Sequence, residues 1–156
     1  MTNHLPINLK NNKNKLIYAD LTYQIRKGLF NVYNGLGFGH KENIYQNALE
    51  KEFGELKIPF TKEEGLKIKF KDQVVGLYKP DFIIADKVLL EIKSTALGSK
   101  VFEKQLLYYL KSTGFKLGLL ANFGQERLYV KRLIWTNRQE SRSNNPRESV
   151  MDPRES

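Results

Sequence analysis

A chain of 156 residues, 40% hydrophobic and 28% charged, has room for one hydrophobic core and the make-up of a globular protein rather than a disordered or fibrous one. It has no cysteine and two histidines, which excludes disulfides, thiolate zinc sites, iron-sulfur clusters, a cysteine nucleophile and histidine-rich metal sites; a metal would need mainly oxygen ligands, favouring Mg²⁺ or Mn²⁺. The net charge of +9 points to a polyanionic partner, nucleic acid or a membrane surface.

In chain order, residues 1–16 are Asn-rich, carry Lys10, Lys13 and Lys15 with no acid, and lack the apolar stretch of a signal peptide, so they read as a flexible basic arm. No run approaches the roughly 18 apolar residues of a membrane span, so no membrane partner is expected and the expected address is the cytoplasm. Residues 17–33 predict a helix, because Leu21, Ile25 and Val32 fall in a narrow arc at 3.6 residues per turn, and Gly35, Gly37 and Gly39 end it. Residues 41–56 predict a second helix with Tyr45, Leu49, Phe53 and Leu56 on one stripe, and Glu42 on that same stripe. From 58 to 94 the texture turns to short β-rich segments, 67–70, 74–84 and 88–93, expected as an antiparallel meander. A third helix over 99–112 precedes strands over 116–122 and 127–133. The expected order is ααβββαββ, an α/β (α+β) layered domain over residues 17–136 that itself carries +6. Residues 137–156 hold almost no apolar side chains, repeat Pro-Arg-Glu-Ser and balance four arginines against four acids, which reads as a disordered tail.

The chemistry concentrates in the stretch from Pro80-Asp81 to Glu91-Ile92-Lys93, where polar residues interrupt two apolar strands. Glu91 and Lys93 are two apart and project from one face, with Ile92 opposite. If Ala85-Asp86-Lys87 is a three-residue connection, Ile84 pairs with Val88 and Asp81 falls opposite Glu91; an even loop would send Asp81 to the other face. Two facing, partly buried carboxylates repel, and a cation relieves this. Lys93 supplies one in a purely structural ion pair; a divalent metal held by Asp81, Glu91 and the backbone carbonyl of Ile92 is the other possibility. Glu42, on the inward stripe of its helix, would cost several kcal/mol if left there unpaired, unless it simply complements the helix dipole in the first turn. Gln105 and Tyr109, spaced i, i+4 on the third helix, can reach one site.

Taken together, Gly39-His40-Lys41-Glu42-Asn43-Ile44-Tyr45, Pro80-Asp81, Glu91-Ile92-Lys93 and Gln105-Leu106-Leu107-Tyr108-Tyr109 make the chain resemble the GxxExxY proteins of the PD-(D/E)xK nuclease superfamily, over about residues 17–133. The Gln-x-x-x-Tyr pattern is similar to that of the RecB-like branch. The resemblance implies a restriction-endonuclease-like core, a mixed central sheet flanked by helices, and metal-dependent phosphodiester hydrolysis with Mg²⁺ or Mn²⁺. It implies Asp81 and Glu91 as metal ligands, Lys93 as the catalytic lysine, Glu42 as a carboxylate that completes or supports the site, and Gln105 and Tyr109 as residues that assist it or position the nucleic acid. The absence of cysteine sets the chain apart from those relatives that carry an iron-sulfur cluster.

A metal at such a site lowers the pKa of a bound water and offsets charge on the phosphate oxygens. Nucleic acid, DNA rather than RNA, is the expected partner. Its phosphates would be tracked by Lys100, Lys104 and Lys111 on one side of the third helix, and by Lys67 and Lys69, with Lys71, along one strand face. No base-reading motif is present, so little sequence specificity is expected. Two other readings stand beside the enzyme: an inactive nucleic-acid-binding protein that keeps the nuclease fold, and an interaction protein whose ionic cluster only specifies the fold.

Overall fold

The structure is a computed structural model that describes residues 16–136; the expected arm, but for its last residue, and the expected tail lie outside the described residues. The elements are α1 (Ala19–Leu36), α2 (Glu42–Glu55), β1 (Phe60–Lys62), β2 (Leu66–Phe70), β3 (Gln73–Tyr78), β4 (Phe82–Ile84), β5 (Val88–Lys93), α3 (Lys100–Thr113), β6 (Leu117–Asn122) and β7 (Tyr129–Ile134). The order ααβββββαββ corrects the expected ααβββαββ by two strands. The short β1 carries too little pattern to be read locally. The stretch 74–84 is two strands because Pro80, which has no N–H to give to a ladder, breaks it between Tyr78 and Phe82.

The expected meander is also corrected. β2 and β3 pair only with each other, as a separate antiparallel ribbon, while the remaining strands form a mixed sheet in the order β1-β4-β5-β6-β7. Its one parallel pair is β5 with β6, and the chain between them makes its crossover through α3. A mixed sheet flanked by helices is the expected α/β fold class.

Alternation along the strands divides the core in two. Val88, Leu90 and Ile92 of β5 and Leu117, Leu119 and Ala121 of β6 face α1 and α2, where Ile25, Leu29, Tyr45, Leu49 and Phe53 are all fully buried. Leu89 and Leu120 face the other way, toward Leu106 and Leu110 of α3 and Tyr78 of the ribbon. Glu91 and Lys93 share the parity of Leu89 and so emerge on the α3 side. Close approach of α3 requires Gly118, where a Cβ would lie 3.0 Å from Leu106. The stripe of α2 faces inward as the periodicity predicts, and α1 runs past Gly35 to end at Gly37, whose φ of 72° favours glycine. No helix among the described residues is long and apolar enough to cross a membrane.

Candidate active site

The three-residue connection between β4 and β5 sets the site. Ala85 and Asp86 take left-handed φ values of 50° and 53°, and the ladder runs Ile84 to Val88, Ile83 to Leu89, Phe82 to Leu90. One step further, Asp81 stands beside the Glu91-Ile92 edge, as the loop parity predicts. β4 has ended there, so the N–H of Ile92 is free of the sheet and donates to Asp81 Oδ2 at 2.7 Å. In a strand the N–H and C=O of one residue point to the same side, so the Ile92 carbonyl opens onto that same edge.

Asp81 and Glu91 are in contact, and the hydrogen bond between them favours the proton on Glu91, raising its pKa and lowering that of Asp81. Burial raises the pKa of Glu91 to about 7, and the charge of Asp81 adds to this; the hydroxyl of Tyr78, which donates to Oε1, and the ammonium of Lys93 offset part of it. Asp81 is raised too, first by burial and then by the charge of Glu42, against the Ile92 N–H and Lys93, which act to lower it. Burial and the neighbouring Glu91 push the Tyr78 phenol up, so it stays a donor. Tyr78 also stacks on Tyr109 with ring centroids 3.6 Å apart and planes 8° from parallel.

These groups lie around a cavity of about 340 Å³ lined by Asp81, Glu91, Lys93, Gln105 and Tyr109, together with Tyr78, Lys79 and Phe102. Five of the six residues expected at the active centre line this cavity, Asp81, Glu91 and Lys93 from the β4–β5 edge and Gln105 and Tyr109 from α3; the sixth, Glu42, is not on this wall. The ammonium of Lys93 lies 4.9 Å from the centroid of the Phe102 ring. Glu42 begins α2, half-buried, close enough for its charge to act on Asp81. No ion pair joins it to Lys93, and among the described residues no three acidic or histidine side chains are grouped to hold a metal. Glu42 therefore stands beside the Asp81–Glu91 pair at the start of α2, where its charge reaches Asp81 without an ion pair to Lys93.

Sequence reasoning missed two residues. Gln46 donates to Asp81 Oδ1 at 2.9 Å, and Tyr78 holds Glu91. The signal for Gln46 was its position one turn after Glu42 on the same side of α2; Tyr78 carries no local signal, because it reaches Glu91 from the separate ribbon. The Gly39-to-Tyr45 motif has a mechanical basis. Gly39 has a φ of 89°, and the Tyr45 hydroxyl donates to the Gly37 carbonyl at 2.8 Å and accepts from the His40 N–H at 3.1 Å. The Tyr45 ring stacks on Phe123 at 4.2 Å, which fixes the start of α2 against the end of β6.

The expected basic rows are distributed unevenly. Lys67 and Lys69 are exposed on one side of the ribbon, and Lys100 and Lys104 are exposed on the half of α3 nearest the cavity. Lys111 stands over Trp135 at the far end of α3. Lys71 leaves the row, because it sits in the ribbon's turn at a φ of 48° with its ammonium near the Phe70 ring.

The model of the PD-(D/E)XK nuclease superfamily matches residues 19–133, which takes in every helix and strand but the final residue of β7. The chain belongs to the PD-(D/E)XK nuclease superfamily. The crystal structure of an alkaline exonuclease from Laribacter hongkongensis is similar to it with a TM-score of 0.46 and 14% identity, over 64% of this chain. The alignment covers 59% of that exonuclease, so the chain spans less than two thirds of its length. No curated protein matches. PD-(D/E)XK nucleases generally use divalent metal ions. The donor set fits such an ion: two part-buried carboxyls that repel each other, beside an open backbone carbonyl, are hard oxygen ligands with charge to neutralise.

Proposed function

We propose that the protein is a metal-dependent nuclease that hydrolyses phosphodiester bonds of nucleic acid, DNA in preference to RNA, with little sequence specificity, and that it stands with the GxxExxY proteins of its superfamily. The observation that carries this reading is the contact of Asp81 with Glu91 on a cavity wall shared by Lys93. Asp81, Glu91 and the Ile92 carbonyl would hold Mg²⁺ or Mn²⁺, which when bound supplies Lewis acidity to the phosphate and acidifies water. Gln46 and the Ile92 N–H fix the Asp81 carboxylate, and Tyr78 fixes that of Glu91, so both are oriented before a ligand arrives. Lys93 orients the attacking water and offsets charge that builds on a nonbridging oxygen; this is electrostatic assistance by a preplaced cation. Gln105 and Tyr109 position the strand across the cavity, Glu42 adds negative potential beside Asp81, and Lys67, Lys69, Lys100, Lys104 and Lys111 attract phosphates.

The test is a gel assay of labelled DNA and RNA with Mg²⁺ or Mn²⁺. Asp81→Asn and Lys93→Ala are each expected to lose about 100-fold or more in rate with an unchanged circular dichroism spectrum. Cleavage at the wild-type rate by either variant overturns the mechanism, and salt-sensitive binding with no cleavage by the wild type makes the protein an inactive member of its superfamily.

A further inference from the structure

Resting on the nuclease reading, the geometry points to single-stranded nucleic acid as the substrate, with the β2–β3 ribbon as the surface on which its bases lie. The ribbon has two unlike faces. Leu66, Ile68 and Tyr78 turn inward onto the α3 side of the core. Outward, Lys67 stands opposite Leu77 and Lys69 opposite Val74, with Val75 the extra residue at a bulge. Val74, Val75 and Leu77 are 52%, 60% and 62% exposed, an apolar strip that nothing among the described residues covers.

Three observations select the occupant. The strip is interleaved with lysines and contains no acid, so it suits a ligand that alternates apolar faces with negative charge, as an unpaired strand does and a duplex, with its bases stacked inside, does not. It is continuous with the candidate active site, since Leu77 and Lys79 line that cavity and lean together over Gly65. The facing wall on α3 repeats the combination, with Lys104 and Tyr108 exposed one turn apart. The cavity between these walls, about 340 Å³, lies near the bottom of the range for small-molecule pockets, roughly 300–1,000 Å³. It admits about one nucleotide, so a phosphate reaches Asp81, Glu91 and Lys93 on a flexible strand and not on the surface of a rigid double helix.

The experiment measures fluorescence anisotropy of labelled 20-mers with the full chain in EDTA, as single-stranded DNA, single-stranded RNA and the duplex of each, over a salt series. A single strand is expected to bind about tenfold or more tighter than its own duplex, and Val75→Ser with Leu77→Ser to lose about tenfold on that strand with the salt slope unchanged. Lys67→Gln with Lys69→Gln is expected to flatten the slope of log affinity against log salt by about 1.4. All the substituted side chains are exposed, so the variants fold, and circular dichroism checks this. Equal or tighter binding of the duplexes overturns the inference, as does an unchanged affinity of the Ser variant. Sedimentation showing a wild-type dimer that the Ser variant dissolves also overturns it, because the strip is then covered by a second copy. Adding Mg²⁺ to the same strands separates the two readings: preference for single strands without cleavage keeps this inference and removes the nuclease, and cleavage of tightly bound duplex does the reverse.

Discussion

Glu91 stores a penalty in the metal-free fold that a single substitution should release. Its carboxyl is raised from an ordinary 4.5 to about 7, mainly by burial and by Asp81. Above pH 7 the folded protein must bury a charge that the unfolded chain holds in water at no cost. Between pH 4.5 and 7 the folded state binds the additional proton, so this group makes stability rise as pH falls through that window. The difference corresponds to about 3 kcal/mol at pH 8. Glu91→Gln keeps the shape and the partners, because the amide oxygen still accepts from Tyr78 and the amide N–H still donates to Asp81. Urea denaturation in EDTA should therefore find the variant more stable than wild type at pH 8, by up to about 3 kcal/mol, and little different at pH 4.5. Metal should reverse the order: with Mg²⁺ at about a thousand times its Kd, the wild type gains about 4.1 kcal/mol and the variant far less. A variant less stable than wild type at pH 8, or an equal difference at both pH values, would refute the assignment of the buried charge to Glu91.

Gln46→Ala removes the donor to Asp81 Oδ1 and is expected to weaken Mn²⁺ binding about 10-fold, read by titration calorimetry; unchanged affinity would mean that the Ile92 N–H alone holds Asp81. At Gly124 a Cβ would lie 2.1 Å from the backbone nitrogen of Thr95, which cannot yield without moving the loop after Lys93. Gly124→Ala is expected to cost about 3 kcal/mol or more in urea denaturation. Gly54→Ala, in α2 with nothing within 4 Å, is its control and should gain up to about 1 kcal/mol.

The parts of this fold that were legible in the sequence are those set by short-range pattern. The 3.6 period sets α1, α2 and α3 to within three residues at their ends, and the three-residue loop with its period of two sets Asp81 beside Glu91. What was not legible depends on distant partners. β1 is three residues that become a strand only because β4 is there to pair with, and the ribbon leaves the main sheet because Pro80 and the bulge at Ile68/Lys69 turn it away. Buried Asn122 is another case. Its side chain accepts from the N–H groups of Thr95 and Gly124 and donates to the Thr95 carbonyl and Ser99, so it ties the end of β6 to the loop that leads into α3. Read locally, it is only an asparagine at a strand end.

From the bulge outward, every residue from Lys69 to Val75 is exposed, and the ribbon's backbone pairs with no strand of the main sheet. The five-stranded sheet, the carboxyl pair and Lys93 therefore place almost no constraint on that half of the ribbon. Its length and side chains are free to diverge, and a hairpin taken from another chain could be grafted between Ile68 and Gly76 without rebuilding the core. Selection can then retune the ribbon's outer surface while leaving the carboxyl pair and Lys93 untouched.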